Sequence, residues 1–261
     1  MISSESNAQI KEIIKLQKNA RERRKKLLFV AEGIKLVKEA ALHGKLKQVY
    51  ISETAMQNAE SDWKELLAQY PSEVVADAVF RTMTETVTPQ GVLGLVQMPL
   101  YELKDILTDE RRSFMLLDDL RDPGNLGTIM RTAEGADMSG VILSKESVDL
   151  FNPKVVRSTM GAIFRVPFFY TEDLTEVMRQ LRRTDIPVYG TMMQGSVIYD
   201  EIDYCKGAAI VIGNEANGIS DRVAQELSAK VRIPMAGSLE SLNAAVAAAI
   251  LMYEMARQKR K

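Results

Sequence analysis

In the second half of this chain, short apolar runs recur, and each one stops at a cluster of small and polar residues. Phe114-Met115-Leu116-Leu117, Val141-Ile142-Leu143, Val166-Pro167-Phe168-Phe169-Tyr170, Pro187-Val188-Tyr189, Ala208-Ala209-Ile210-Val211-Ile212 and a run that stops at Pro234 are continuous rather than alternating. A strand of that kind buries both faces, which is the habit of parallel sheets covered by helices. Helical stretches lie between the runs. One passes through Met130, Arg131, Ala133 and Ala136, one opens at Asn152 with Pro153 in the first helical position, and others cover 174–181 and 220–227. After Pro234 comes a small-residue loop, then Ser241, which offers an N-cap to an Ala-rich helix. The pattern predicts an α/β fold with a mostly parallel sheet.

The first hundred residues alternate helix and strand on a smaller scale. Residues 7–44 are mainly helical, with Ile10, Ile13, Ile14 and Leu16–Gln17 as an apolar stripe, a short strand at Leu27-Leu28-Phe29-Val30, a turn at Glu32-Gly33 and an amphipathic helix from Ile34 to Leu42. Strands follow at Val49-Tyr50-Ile51, Val74-Val75-Ala76 and 92–96, with helices around Trp63 and over 81–87. The polar stretch after Pro99 suggests a linker, so the expected division is a first domain over 1–100, a linker over 101–112 and a second domain over 113–261. The formal net charge is only −1, yet residues 9–47 carry twelve Lys/Arg against four Asp/Glu, and 48–110 carry three against eleven. A basic patch can exist on such a chain. The run Arg21, Arg23, Arg24, Lys25, Lys26 is either a phosphate-contacting patch or a solvated helix face.

Composition removes several chemistries. Cys205 is the only cysteine and His43 the only histidine, so an intrachain disulfide, a cysteine-based zinc cluster and a Ser-His-Asp triad are not expected, and no metal is assigned. With no apolar run of about twenty residues and no signal-like start, no membrane is expected as a partner and the cytoplasm is the default compartment.

In an open α/β sheet, ligands bind beyond the carboxyl ends of the strands. Here those ends are Asp122-Pro123-Gly124-Asn125, Gly190-Thr191, Gly213-Asn214-Glu215-Ala216-Asn217-Gly218 and Met235-Ala236-Gly237. Neither the Gly-x-Gly-x-x-Gly dinucleotide fingerprint nor a phosphate-binding Gly-Lys-Ser/Thr loop is present, which disfavours a nicotinamide oxidoreductase. Asp122-Pro123-Gly124-Asn125-Leu126-Gly127, with Arg131-Thr132-Ala133, resembles the first motif of the SpoU (TrmH-like) RNA ribose methyltransferases. Gly213-Asn214-Glu215-Ala216-Asn217-Gly218-Ile219-Ser220 resembles their second, and Ile233-Pro234-Met235-Ala236-Gly237 with Ser241-Leu242-Asn243 their third. Asn152-Pro153-Lys154-Val155-Val156-Arg157-Ser158-Thr159-Met160-Gly161-Ala162 is similar to a stretch between the first two. The likeness is close over 113–257. It is looser in the first hundred residues, where Phe29-Val30-Ala31-Glu32-Gly33 and Thr88-Pro89-Gln90-Gly91-Val92-Leu93 resemble the family's small α/β RNA-binding domain.

That resemblance implies a carboxyl-terminal trefoil knot, which runs against the usual topology rules. It also implies S-adenosylmethionine held by Thr191, Gly213, Ile233, Met235 and Leu242, and a homodimer formed through the knotted domain. In the last helix, Val246, Ile250 and Tyr253 lie on one stripe, with Ala245, Ala249, Met252 and Ala256 beside it. By the same resemblance Arg131 takes part in activating a ribose 2′-hydroxyl and Asn125 orients it. A guanidinium is a poor base, its pKa above about 12, so Arg131 is better read as a clamp on phosphate and hydroxyl. Glu215 is an acceptor bracing its loop, or a general base. Ser241 caps its helix or faces the chemistry, and Asn243 bonds across to Asn125 or to substrate. The expected activity is 2′-O-methylation of structured RNA, with 23S rRNA first, tRNA second and a silent RNA-binding or assembly protein as the rival, and with no DNA partner.

Overall fold

The structure is a computed structural model and describes residues 1–192 and 197–260. It divides into two compact units, Met1–Leu100 with Asp149–Phe164, and Tyr101–Val148 with Arg165–Lys261.

In the first unit, Leu28–Glu32 (β1), Leu46–Ser52 (β2), Ser72–Val75 (β3) and Val92–Gln97 (β4) form a sheet of order β1-β4-β2-β3. β4 runs antiparallel to both of its neighbours, and β2 and β3 are parallel. The helix Ala8–Lys18 lays Ile10, Ile13 and Leu16 in a core with Val30, Tyr50 and Leu93, as its stripe predicts. The helical region breaks at Asn19. This residue is extended, and its side chain accepts from the N–H groups of Arg21 and Glu22, opening a second helix, Ala20–Lys26. The helix expected over 81–87 instead spans Asp77–Thr82. An acidic first turn favours the earlier start, and the Thr-rich stretch beyond is a poor helix former.

Asp149–Phe164 packs in this first unit although it lies between strands of the second. Asn152 caps the helix Pro153–Ser158 by accepting from Lys154 N–H, with Pro153 in the first turn. Phe151 sits 5.0 Å from Phe29, centroid to centroid. Arg157 pairs with the buried Glu32 at 3.4 Å. A division of the chain at 101–112 alone does not anticipate this returning segment.

The second unit contains Ser113–Leu117 (β5), Gly140–Ser144 (β6), Phe168–Thr171 (β7), Val188–Thr191 (β8), Val197–Ile198 (β9), Ala208–Ile212 (β10) and Ala229–Arg232 (β11). Among the described residues these make a wholly parallel sheet of order β7-β6-β5-β10-β8-β11-β9. Every residue of β5, β6 and β10 is buried. Alternate residues Phe114, Leu116, Ala209 and Val211 pack with Val177, Met178 and Leu181 of the helix Leu174–Arg183. The helices Pro123–Gly135 and Ala244–Lys259 pack on each other and on β6 and β10 respectively. Residues 101–112, expected as a linker, include the helix Leu103–Leu107, whose Ile106 is buried in this core against Gly140. The helix expected over 220–227 is a single turn, Asp221–Ala224.

Candidate cofactor and active site

The carboxyl ends of β5, β8, β10 and β11 carry the loops singled out above. After β10, Asn214 and Gly218 exchange two backbone hydrogen bonds of 2.9 Å, and the Asn214 side chain accepts from Ala216 and Asn217 N–H. At Gly213 a Cβ would collide with the backbone of Gly218, so only glycine closes this loop. The loop presents Glu215. Its carboxylate accepts from Arg121 N–H at 3.0 Å, Asp122 N–H at 2.9 Å and the Asn125 side-chain amide at 2.9 Å. Partial burial works against ionisation of Glu215. The hydrogen bonds from Asn125, Arg121 and Asp122 together outweigh it and hold the carboxyl below its usual range.

Asp122 caps the helix Pro123–Gly135 by accepting from Asn125 N–H, with Pro123 in the first turn. This places Asn125 one turn in and buries it. Because the Asn125 amide nitrogen donates to Glu215, its Oδ1 is left to accept, and Asn243 Nδ2 donates to it at 2.9 Å. The Asn243 Oδ1 in turn accepts from Ala245 and Val246 N–H and caps the helix Ala244–Lys259. One polar chain, Glu215 to Asn125 to Asn243 to a helix terminus, therefore joins three loops up to 118 residues apart. The helix cap is Asn243 and not Ser241, which corrects the sequence expectation. Ser241 lies two residues too early to reach the free N–H groups of the first turn; it is exposed, and its hydroxyl has no partner among the described residues.

A cavity of about 670 Å³ opens beside this chain of bonds. Thr191, Gly213, Ile233, Met235 and Leu242 all line it, as do Glu215, Ser241 and Asn243. Its lining is mixed, with Met192, Ile212, Ile219, Ile233, Met235 and Leu242 beside polar and charged groups that include Arg232 and Glu240. Arg131 does not line it. It projects from the exposed side of the helix Pro123–Gly135, and its guanidinium has no hydrogen-bond or ion-pair partner among the described residues. Thr128, Arg131 and Gly135 share that side, and the Tyr253 hydroxyl lies where a Cβ on Gly135 would meet it at 3.1 Å.

The basic run divides. Arg23 is 3% exposed; its Nε and Nη2 donate to Asp149 at 2.9 and 2.5 Å, and its Nη1 donates to the carbonyls of Leu16 and Gln17. Four of its five N–H donors are thus used inside the protein and the side chain is buried, so the expectation that Arg23 contacts RNA is corrected. Arg21, Arg24 and Lys25 are exposed, and Lys26 makes a solvent-exposed pair with Glu12 at 2.5 Å. The sequence reading also passed over Asp122 and Asn214. For Asp122 the signal was present, as an Asp directly before a Pro at a strand-to-helix turn is an N-cap signature. Among the described residues no helix is long and apolar enough to cross a membrane, and no cluster of three His, Cys, Asp or Glu side chains is placed to hold a metal.

A profile of the SpoU rRNA Methylase family matches residues 112–253, and one of the MRM3-like substrate binding domain matches 7–94. The chain is 33% identical over 255 residues to the 23S rRNA (guanosine(2553)-2'-O)-methyltransferase RlmP of Bacillus subtilis, covering 97% of this chain and 98% of that one. It superposes on the AdoMet-bound SpoU methyltransferase AviRb of Streptomyces viridochromogenes with a TM-score of 0.88 and 30% identity, covering 97% of this chain and 98% of that one. On an AdoMet-bound rRNA methyltransferase of Sinorhizobium meliloti the TM-score is 0.84 with 36% identity, covering 98% and 97%. With three strand-end motifs joined by one hydrogen-bonded chain, and likeness running nearly end to end, this chain belongs to the SpoU rRNA methylase family.

Proposed function

We propose that this protein transfers a methyl group from S-adenosylmethionine to a ribose 2′-hydroxyl of 23S rRNA in the cytoplasm. The observation that carries the reading is the chain Glu215–Asn125–Asn243 beside a cavity lined by all five residues expected to hold the cofactor. Those residues suit it. Ile233, Met235 and Leu242 offer apolar faces for an adenine ring, and the backbone at Thr191 and Gly213 offers hydrogen bonds to its edge. Bound S-adenosylmethionine supplies a methyl already activated by a sulfonium, so no metal is needed.

The chain's own residues position the acceptor. Glu215 is spent on bracing three donors and, held ionised, is a weak base; it serves as a strut. Asn125 and Asn243 fix each other's amide orientation and so hold the rim against which the ribose is set. Ser241, unbonded at that rim, is free to meet the ribose. Arg131 grips the phosphate next to the target and lowers the hydroxyl's pKa. Since Arg131 lies outside its own cavity, a second copy brings it there. Val246 and Tyr253, each 48% exposed, form an apolar face beside the side that carries Arg131. Ala244 and Ala247, in the first turn of the same helix, line the cavity. A homodimer on this face, formed by knotted domains, sets the Arg131 of each protomer at the other's site. Arg21, Arg24 and Lys25 add phosphate contacts from the substrate-binding unit.

The test maps ribose methylation across all stable RNAs of cells with and without the protein. Loss of one 23S rRNA site is the expected result; loss of a tRNA site with rRNA unchanged would move the activity to tRNA.

A further inference from the structure

A second cavity, in the first unit, has no part in the chemistry above. It measures about 890 Å³, and every residue that lines it falls within the stretch matching a substrate-binding domain. Its size lies within the range of about 300–1,000 Å³ found for small-ligand sites. Ile34, Ala55, Ala59 and Pro89 give it apolar walls. The loop that closes one side is fixed rather than loose. Gly91 has φ of +77°, and a Cβ there would meet Ala55 at 2.6 Å and the Ser52 hydroxyl at 2.7 Å, so the loop can press on the helix Glu53–Gln57 only as glycine. The Gln90 side-chain oxygen accepts from Ile34 N–H at 2.9 Å.

Gln90 and Asn58, both on the cavity lining, each keep an unused hydrogen-bonding group. The Gln90 carbonyl is used, so its NH2 remains as a donor. Asn58 donates through Nδ2 to the Thr54 carbonyl at 3.0 Å, so its Oδ1 remains as an acceptor. Neither has a partner among the described residues. The charges on the lining, Lys38 and Arg81 against Glu60 and Asp77, cancel. A groove that tracks a phosphate backbone is cationic. A cavity whose lining charges cancel, with apolar patches and a polar rim that includes the Gln90 donor and the Asn58 acceptor, suits a nucleobase, which has apolar faces and a polar rim.

We propose that this cavity seats a single unpaired base of the rRNA substrate, away from the methylated nucleotide, read by Gln90 and Asn58. The inference rests on the rRNA reading above and names a second point of grip for it. Ala59→Phe places a ring in the cavity and obstructs a base there. Gln90→Glu keeps the acceptor for Ile34 N–H and removes the free donor.

The experiment combines base-specific chemical footprinting of 23S rRNA, isolated from cells lacking the protein, with methylation kinetics of the full-length protein. Wild type protects one unpaired base outside the methylation site, and both variants lose that protection. Their kcat/KM for rRNA falls by about ten- to a hundredfold through KM, the loss of one seated base, while calorimetric S-adenosylmethionine affinity stays unchanged, and a thermal unfolding profile like the wild type's certifies the fold of the mutated unit. Unchanged protection and kinetics in both variants overturn the cavity assignment and leave the methyltransferase reading standing. Tight binding of free nucleoside monophosphates, with no effect of the variants on rRNA, also overturns it. A wild-type protein that neither binds nor methylates rRNA removes the functional reading first.

Discussion

Glu215 holds three donors with two oxygens, and this division of labour decides what its substitution does. In Glu215→Gln one oxygen becomes an NH2, which cannot accept from Arg121 or Asp122 N–H, so at least one of the three donors loses its acceptor. We expect weaker S-adenosylmethionine binding by calorimetry and a large loss of kcat. In the folded protein the hydrogen bonds to Glu215 hold its pKa below that of an ordinary glutamate. Its contribution is therefore fully present above the ordinary value and is lost as pH falls through the lower folded one. A cofactor-affinity titration in acid shows this step in the wild type and lacks it in Glu215→Gln. Arg131 behaves differently, because it is unpaired among the described residues and outside the cavity. Arg131→Ala lowers kcat by about 100-fold or more with cofactor affinity unchanged, and Arg131→Lys does not restore it, since an ammonium lacks the planar fork. Wild-type turnover of either variant on its proper rRNA excludes the clamp.

Helix termini and one buried ion pair carry the predictions at the scale of elements. Asn243→Ala removes the cap of Ala244–Lys259, about 0.5–2 kcal/mol, and strips Asn125 of its donor, while Ser241→Ala touches neither. Calorimetry should show a fall in Tm of about 2–4 °C per kcal/mol for the first and none for the second. Arg23→Met leaves Asp149 and two carbonyls without donors inside the first unit and costs about 3–5 kcal/mol, whereas Arg24→Ala, two steps from the same helix end, leaves Tm unchanged. These contrasts mark what the sequence could carry. The continuous runs at Phe114–Leu117 and Ala208–Ile212 are strands because no other element of that length buries both faces. The Asp-Pro and Asn-Pro turns are caps because the chemistry is local. Arg23 looks like its exposed neighbours in sequence, since the partner that buries it lies 126 residues away. Asn243 and Ser241 are two residues apart, and the start of the helix at Ala244 decides which of them caps. The return of Asp149–Phe164 to the first unit is of the same kind: apolar periodicity says that a face is buried and is silent on which core receives it.

At the scale of the molecule, the cavity within one chain is lined by Arg232 but not by Arg131, and the source of the Arg131 guanidinium is testable without a structure of the complex. In the proposed dimer, a second copy on the Val246–Tyr253 face would make each active site from one protomer's cavity and the other's Arg131. Tyr253→Glu combined with Val246→Glu should then yield a monomer by sedimentation, with S-adenosylmethionine affinity reduced and methylation lost, because both charges would be buried unpaired in the interface. A mixing experiment separates assembly from sharing. Arg131→Ala keeps an intact cavity, and Asn243→Ala keeps an intact Arg131. Unfolded together and refolded as a mixture, half of the dimers are mixed, and one of the two sites in each has both parts intact, so activity recovers to about a quarter of wild type. If Arg131 served its own chain, no site in the mixture would be whole, and activity would stay at the level of the separate variants. Recovery near a quarter fixes the guanidinium across the interface. Its absence, with dimers present by sedimentation, would require the helix Pro123–Gly135 to present Arg131 to the cavity of its own chain once rRNA is bound.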